Sequence, residues 1–143
     1  MINRPLSVLA SAALPVLAAT LASGATATAA PSLAPPIMEE VFSVPGTVSA
    51  KFRNPNDGGF CWVINSDTGE IFGGNNPTSF AIADGKMVQS SLGNGGLPAG
   101  KMRVAGACAF DRPAGGDGRD GNASFTEVIT VDVIGKPKTG SFG

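Results

Sequence analysis

The sequence has no histidine and no tyrosine, and it has two cysteines and one tryptophan among 143 residues. Histidine is the commonest general base, belongs to the Ser-His-Asp and Cys-His arrangements, and is a frequent metal ligand. Its absence excludes these types of catalytic and metal site. No serine stands three positions before a lysine, so the Ser-x-x-Lys nucleophile is absent too. We predict a protein that is not an enzyme and needs no cofactor.

Carboxylates are the remaining route to catalysis, because glycosidases work with a pair of them. Glu39 and Glu40 are neighbours in the sequence, so on a strand their side chains point to opposite faces. Nothing in the sequence pattern brings Glu70, Asp84 and Glu127 together. A carboxylate-dependent hydrolase therefore stays only as a second alternative to a non-catalytic protein.

The charge balance also limits the partners. Ten basic residues stand against eleven acidic ones, for a formal net charge of -1. Nucleic-acid binding requires a basic face or stripe, and attachment to anionic lipid requires a polybasic segment. The sequence contains neither, so we predict no nucleic-acid partner and no attachment to anionic lipid.

Residues 1–29 have the layout of a secretory signal peptide. A short start containing Arg4 is followed by the apolar run LSVLASAALPVLAATLASG and then by small residues. Ala27-Thr28-Ala29 fits the small-x-small cleavage rule. The apolar run contains Pro15 and is shorter than the ~20 apolar residues that span a bilayer, which disfavours the alternative of a retained anchor. We expect a secreted protein of the medium or cell envelope, with no stable membrane insertion after cleavage.

The two cysteines predict one disulfide between Cys61 and Cys108, because exported proteins meet an oxidising environment. A pair of free thiols and a redox pair are the alternatives. Redox motifs commonly have the close spacing Cys-x-x-Cys, and these two cysteines are far apart in the sequence. We therefore interpret the bridge as structural.

After cleavage we expect three segments: a Pro/Ala-rich stalk over 30–36, a folded domain over 37–134 and a flexible tail over 135–143. Turn signals recur through the domain at short intervals, and no run of the sequence has the period of an amphipathic helix. Asp84-Gly85 is typical of a type I′ hairpin, and Asp67-Thr68-Gly69 of a slightly longer hairpin turn. The predicted strands cover 37–43, 47–53, 60–65, 70–72, 79–83, 86–92, 101–110 and 124–134. This rhythm predicts an all-β antiparallel sandwich of about seven or eight strands.

The stretch LPAGKMRVAGAC has a Pro/Gly corner, then alternating apolar residues and a cysteine. It resembles the approach to the penultimate strand of bacterial immunoglobulin-like domains. The resemblance covers residues 40–134 and implies an immunoglobulin-like sandwich. Residues 101–110 would then be strand F, 124–134 strand G, and Cys61 would lie on strand C beside F in the same sheet. A bridge across the core, from strand B to F, is the second possibility. Met102 stands where such domains often have a corner tyrosine.

Alternation along the strands predicts which side chains face outward. Cys108 shares its face with Met102, Val104 and Phe110, so we place these four in the core, together with Cys61. The opposite face then carries the five residues of a predicted partner-binding patch: Phe60, Trp62, Ile64, Ala105 and Ala107. An exposed apolar patch around a tryptophan is typical of a binding surface. Two alternatives bury the tryptophan: a β-bulge at Gly106, or a cover formed by the stalk or the tail.

The long loop DRPAGGDGRDGNAS contains a weak calcium candidate, since Asp117, Asp120 and Asn122 supply hard oxygen ligands on a glycine-rich backbone. The loop does not follow the EF-hand pattern, because Arg119 stands at an inner ligand position and no glutamate closes the loop. We therefore interpret this loop as a solvated hairpin tip and expect no metal.

These observations predict a secreted, non-catalytic module of bacterial immunoglobulin-like type that binds an unknown protein or a component of the cell envelope. The first alternative is a carrier, similar in size and export to bacterial apoproteins that hold a small molecule in the mouth of such a sandwich. That family has two bridges, and this chain offers one. A deep apolar cleft would favour the carrier, and a flat exposed tryptophan would favour the binding module.

Overall fold

A computed structural model describes residues 32–138 of the chain. The predicted signal peptide, residues 1–29, and the end of the predicted tail, residues 139–143, lie outside the described residues. The described part is an antiparallel β-sandwich, which confirms the all-β prediction. No helix between residues 32 and 138 has the length and apolar character needed to cross a bilayer.

Seven strands and one short 3-10 helix, Pro77–Ser79, make up the sandwich. The strands are β1 (Ile37–Val44), β2 (Thr47–Arg53), β3 (Phe60–Asn65), β4 (Val88–Leu92), β5 (Gly100–Ala109), β6 (Ser124–Phe125) and β7 (Ile129–Val133). The first sheet has the order β1-β2-β4, and in the second sheet β5 lies between β3 on one side and β6 and β7 on the other. Strands β1, β2 and β4 therefore face β3, β5, β6 and β7 across the sandwich.

The core lies between the two sheets, and alternation along the strands fills it. Val48, Ala50 and Phe52 on β2 are fully buried and belong to the same cluster as Val104 and Cys108 on β5. The intervening β2 residues face away from the core, where Lys51 pairs with Glu40 and Arg53 with Glu39. We call the side of each sheet that faces this core its inner face and the other side its outer face.

The disulfide lies on the inner face of the second sheet. Cys61 on β3 and Cys108 on β5 are direct register partners and are bonded to each other. The bridge is therefore within one sheet, as predicted from the placement of Cys61 on strand C, and the alternative of a bridge from strand B to F is wrong. Both cysteines are fully buried, so the bond is part of the core.

Several local predictions are wrong, and each has a physical reason. Residues 79–83 do not form a strand, because Pro77 begins a 3-10 turn and Asn76 caps it by accepting a hydrogen bond from the Thr78 N–H at 3.1 Å. The type I′ hairpin is absent, because Gly85 has a positive φ of 73° and Asp84 does not. Phe110 is 53% exposed rather than in the core, because β5 ends one residue earlier.

The other local differences concern the lengths of the predicted strands. Residues 70–72 make isolated bridges at 70 and 71 instead of a strand. The predicted last strand, 124–134, is divided into β6 and β7, because residues 126–128 leave the sheet. The predicted turn at Asp67-Thr68-Gly69 is present: Gly69 adopts a φ of 80° and donates its N–H to the Asn65 carbonyl at 2.8 Å.

The described ends of the predicted stalk and tail are bonded to the domain. Ala34 exchanges two hydrogen bonds with the Asn56 side chain, at 2.8 and 2.9 Å. Pro36 is buried on the inner face against Gly106, where an added Cβ would come within 2.5 Å of the proline ring. At the other end, the Lys136 N–H donates to the Leu97 carbonyl at 3.0 Å. Residues 32–36 therefore lie along the sandwich instead of projecting from it.

The disulfide should contribute measurably to stability. It joins residues 47 positions apart, and closing a loop of that length restricts the unfolded chain, which stabilises the fold by about 4 kcal/mol in the chain-entropy model. We expect the reduced protein to lose about that much free energy of unfolding in a denaturant titration. The double variant Cys61→Ala/Cys108→Ala is the control, and its midpoint should not respond to the reductant. A fully reduced protein with an unchanged midpoint would contradict this role.

Candidate functional site

The five residues of the predicted patch do lie on one face. Trp62 on β3 is opposite Ala107 on β5, and Ile64 is opposite Ala105. With Phe60 they form an apolar cluster on the outer face of the second sheet, on the side away from the disulfide. The assignment of inward and outward side chains on β3 and β5 is therefore confirmed.

The exposure of this patch was predicted wrongly. Trp62 is 0% exposed, and Ile64, Ala105 and Ala107 are also buried, so Phe60 is the one member that keeps partial exposure. The β-bulge alternative is wrong as well, since the β3–β5 register runs through Val63 and Gly106 without a shift. The predicted cover by the stalk is not what buries the tryptophan, because Pro36 packs on the inner face.

The cover of the outer face comes from within the domain. The segment 70–82 folds back along the free edge of β3, where Ile71 pairs with Ile64 and Ala81 pairs with Cys61. This places the Phe80 ring 6.0 Å from the Trp62 ring, at an interplanar angle of 57°. An apolar sheet face is thereby removed from water by a chain segment that belongs to neither sheet.

The long loop between β5 and β6 completes the cover. The Trp62 Nε1–H donates to the Gly118 carbonyl at 3.0 Å, and the Gly118 N–H donates to the Gly69 carbonyl at 2.7 Å. Only glycine fits here, because a Cβ on residue 118 would lie 2.8 Å from Trp62 Nε1 and 2.5 Å from Ile64 Cγ2. The buried indole N–H thus has a partner, as buried tryptophans require.

The calcium candidates lie in the same loop and have other partners. The Asp117 carboxylate accepts hydrogen bonds from Arg119 Nε at 3.0 Å and Nη2 at 2.8 Å. The side-chain and then the backbone hydrogen bond from Arg119 lower the pKa of Asp117 to about 2. Asp120 accepts from the Asn122 N–H at 2.9 Å. Within residues 32–138, no three acidic, cysteine or histidine side chains group as a metal site would require.

The hydrolase alternative depends on two carboxylates in one cleft. An isolated bridge brings the backbone at Glu70 beside that at Asp117. Glycoside hydrolysis needs one carboxyl that stays protonated near neutral pH. Asp117 does not fit that role, because Arg119 holds its pKa at about 2. Asp117 is therefore not the acid of such a pair.

Two clefts open beside the covered face. The larger one, of about 770 Å³, lies between residues 70–75 and the end of β4, and we call it the glycine cleft. Its walls are largely main chain, with left-handed backbone at Gly73, Gly74, Gly93 and Asn94. Its two apolar wall residues are almost fully buried, so it is not the deep apolar cleft that the carrier alternative predicts.

The second cleft, of about 490 Å³, opens at the end of the sandwich where β3 begins and β5 ends, and we call it the arginine cleft. Its lining residues are Phe60, Asn75, Phe80, Asp111, Arg112, Pro113 and Ala114. The Arg112 guanidinium carbon lies 5.5 Å from the Phe80 ring centre and 5.7 Å from the Phe60 ring centre. Stacking on aromatic faces is a favourable position for a guanidinium.

Arg112 differs from the five arginines and lysines that the structure places in ion pairs. Those cations each have a carboxylate partner, as in the pairs Arg53–Glu39 and Arg103–Asp67. Among residues 32–138, no side chain forms a salt bridge with Arg112, and no oxygen accepts a hydrogen bond from its guanidinium. Arg112 is exposed, and it lines the cleft.

Of this cleft, the sequence analysis identified Phe60 alone. Arg112 follows the end of a strand, in a stretch rich in Gly and Pro, which is also what an ordinary solvated loop looks like. Its contact with Phe80 arises because segment 70–82 folds back on β3, and this segment carries no periodic signal. No sequence pattern could have paired the two.

Comparison of the chain with protein-family models, with curated proteins and with solved structures gave no match.

The cover over Trp62 can be tested by fluorescence. We expect weak quenching of Trp62 by acrylamide in the native protein, because the indole is buried. Gly118→Val should raise quenching toward that of the unfolded protein, because a side chain at this position collides with Ile64 and Trp62. Gly115→Ala is the matched control in the same loop, since an added Cβ there meets nothing within 4 Å. Equal protection in both variants would show that the loop does not cover the tryptophan.

Asp117 should titrate far below an ordinary aspartate. A carboxyl whose pKa is lowered on folding contributes stability above its unfolded pKa and loses it as the pH falls through the folded value. The loop should therefore keep its Asp117–Arg119 pair at pH 4 and above, and lose it as the pH falls through about 2. Carbon-detected NMR of the Asp117 carboxyl measures this. In Arg119→Ala the pKa should return toward 3.8, and an unchanged value would exclude Arg119 as the cause.

Proposed function

We propose that this protein is a non-catalytic binding module of immunoglobulin-like type that is exported to the medium or the cell envelope, and that it contacts its partner through the arginine cleft. The division of the strands between the two sheets supports the relation to immunoglobulin-like domains. The buried disulfide agrees with an oxidising compartment, in which such bonds persist. Export itself rests on the sequence pattern of residues 1–29.

The position of the cleft supports a binding role. One end of the sandwich carries three connections: the 54–59 loop, the turn before β4 and the loop after β5. The Asn54 side-chain amide links the first two, because it donates to the Gly59 carbonyl at 3.1 Å and to the Ala81 carbonyl at 3.4 Å. Loops clustered at one end of a sandwich can form a contact surface on a rigid support. The arginine cleft opens at this end, and its lining comes from the loop after β5, from segment 70–82 and from Phe60 at the start of β3.

The observation that carries the proposal is the state of Arg112. An exposed arginine normally has to be ordered when it binds, and that ordering lowers affinity. The guanidinium of Arg112 is already placed over two aromatic rings, while its hydrogen-bond donors have no partner among residues 32–138. Arginine and aromatic side chains are also typical of the residues that dominate the binding energy at protein interfaces.

The experiment measures retention of the purified protein on the envelope fraction of the cells that produce it. We expect Arg112→Ala to lower retention about tenfold, because a hydrogen bond to a charged group contributes ~1.5–3 kcal/mol. Arg53→Ala is the matched control: it removes another exposed arginine, on the outer face of the first sheet, and should be retained like the native protein. Retention that is equal in all three proteins, or absent from all three, would contradict the proposal.

A further inference from the structure

We propose that the arginine cleft recognises the α-carboxylate of an amino-acid residue with an apolar side chain, either free or at the end of a peptide. This inference rests on the proposed binding function and names the ligand class of that same site. It follows from three features of the cleft: a guanidinium that lies over two aromatic rings, an apolar floor, and polar acceptors beside the cation.

The guanidinium is fixed without the use of its donors. The Arg112 guanidinium lies over the Phe60 and Phe80 rings, and no oxygen among residues 32–138 accepts a hydrogen bond from it. A planar fork of N–H donors matches a carboxylate, which accepts two parallel hydrogen bonds. Arg112 is thus ordered in advance for a planar anion, and it gives up no internal ion pair among residues 32–138 when it binds one.

The floor of the cleft favours an apolar group next to that anion. Phe60 is half-buried and Phe80 is almost fully buried, and both line the cavity. Ile82 extends this apolar surface and is 51% exposed. Ala81 pairs with Cys61, so the next residue along, Ile82, lies opposite Phe60. A volume of about 490 Å³ lies within the usual range for small-ligand sites, ~300–1,000 Å³.

Asp111 and Asn75 narrow the choice of anion. Both line the cleft beside Arg112, so a ligand meets a negative charge and an amide as well as the cation. The Asp111 carboxylate repels a dianion such as phosphate, whereas it can accept a hydrogen bond from a ligand N–H. An α-carboxylate carries an N–H donor one carbon away, as an ammonium in a free amino acid and as an amide at a chain end. The cleft therefore fits this class better than a simple inorganic anion.

The test is a titration with four probes, followed by NMR of the backbone amides of the cleft and by calorimetry. N-acetylphenylalanine represents a chain end, phenylalanine a free amino acid, N-acetylphenylalanine amide the same shape without charge, and inorganic phosphate a simple anion. We expect at least one of the two carboxylates to bind, and the neutral amide to bind about tenfold more weakly or not at all. The tighter of the two carboxylates identifies the source of the ligand.

Two variants and a control locate the binding. Arg112→Ala should lose the carboxylate, and Arg112→Lys should bind it several-fold more weakly, because lysine keeps the charge but lacks the planar fork. Arg53→Ala should bind like the native protein. Equal binding of the amide, stronger binding of phosphate, or carboxylate binding that survives in Arg112→Ala would each overturn the assignment.

The two proposals can fail separately. If retention on the envelope fraction depends on Arg112 while neither carboxylate binds or competes, the ligand class is wrong and the binding module stands. If retention is independent of Arg112 and neither carboxylate binds, both proposals are wrong. If a carboxylate binds through Arg112 but the envelope fraction does not retain the protein, the ligand class stands and the proposed binding to an envelope partner is wrong.

Discussion

The second sheet is apolar on both of its faces, and the rest of the structure depends on covering both. Its inner face carries Val63, Val104 and the disulfide, and its outer face carries Trp62 and Ile64. A sandwich supplies one neighbouring sheet, which can cover only one of these faces. The other face would cost free energy if it were left in water. The fold therefore has to recruit chain from outside the sheets, and it uses segment 70–82 and the loop after β5.

This requirement explains why a long, glycine-rich loop is bonded at so many points. Gly118 lies against the Trp62 indole and satisfies its N–H, and Arg119 ties the loop to Asp117 and to the Asp67 carbonyl. Glycine is required where the loop meets the sheet, because a Cβ on residue 118 would collide with Ile64 and Trp62. The arginine cleft lies where the cover ends, and its aromatic floor is formed by Phe60 of the outer face and Phe80 of the covering segment.

Much of the fold could be predicted from the sequence, because strand alternation and turn residues are local signals. β2 and β3 begin and end where the pattern placed them, and Cys61 and Cys108 point into the core as the alternation predicted. The prediction failed at 79–83 and at Phe110, where a proline-initiated turn and the end of a strand overrode a short apolar run. Phe60 is the one residue of the arginine cleft that could be predicted from the sequence, because the other members of the cleft come from loops.

The sequence by itself determined the class of the protein: an all-β domain with one structural disulfide and without histidine chemistry, because composition and alternation are properties of single residues and of neighbours. The tertiary structure alone decided whether Trp62 faces water, because that depends on where two irregular segments return to the sheet. It also decided that Arg112 stacks on Phe80, more than 30 positions away in a chain of 143. Contacts of this kind arise from the packing of distant segments, and no local pattern encodes them.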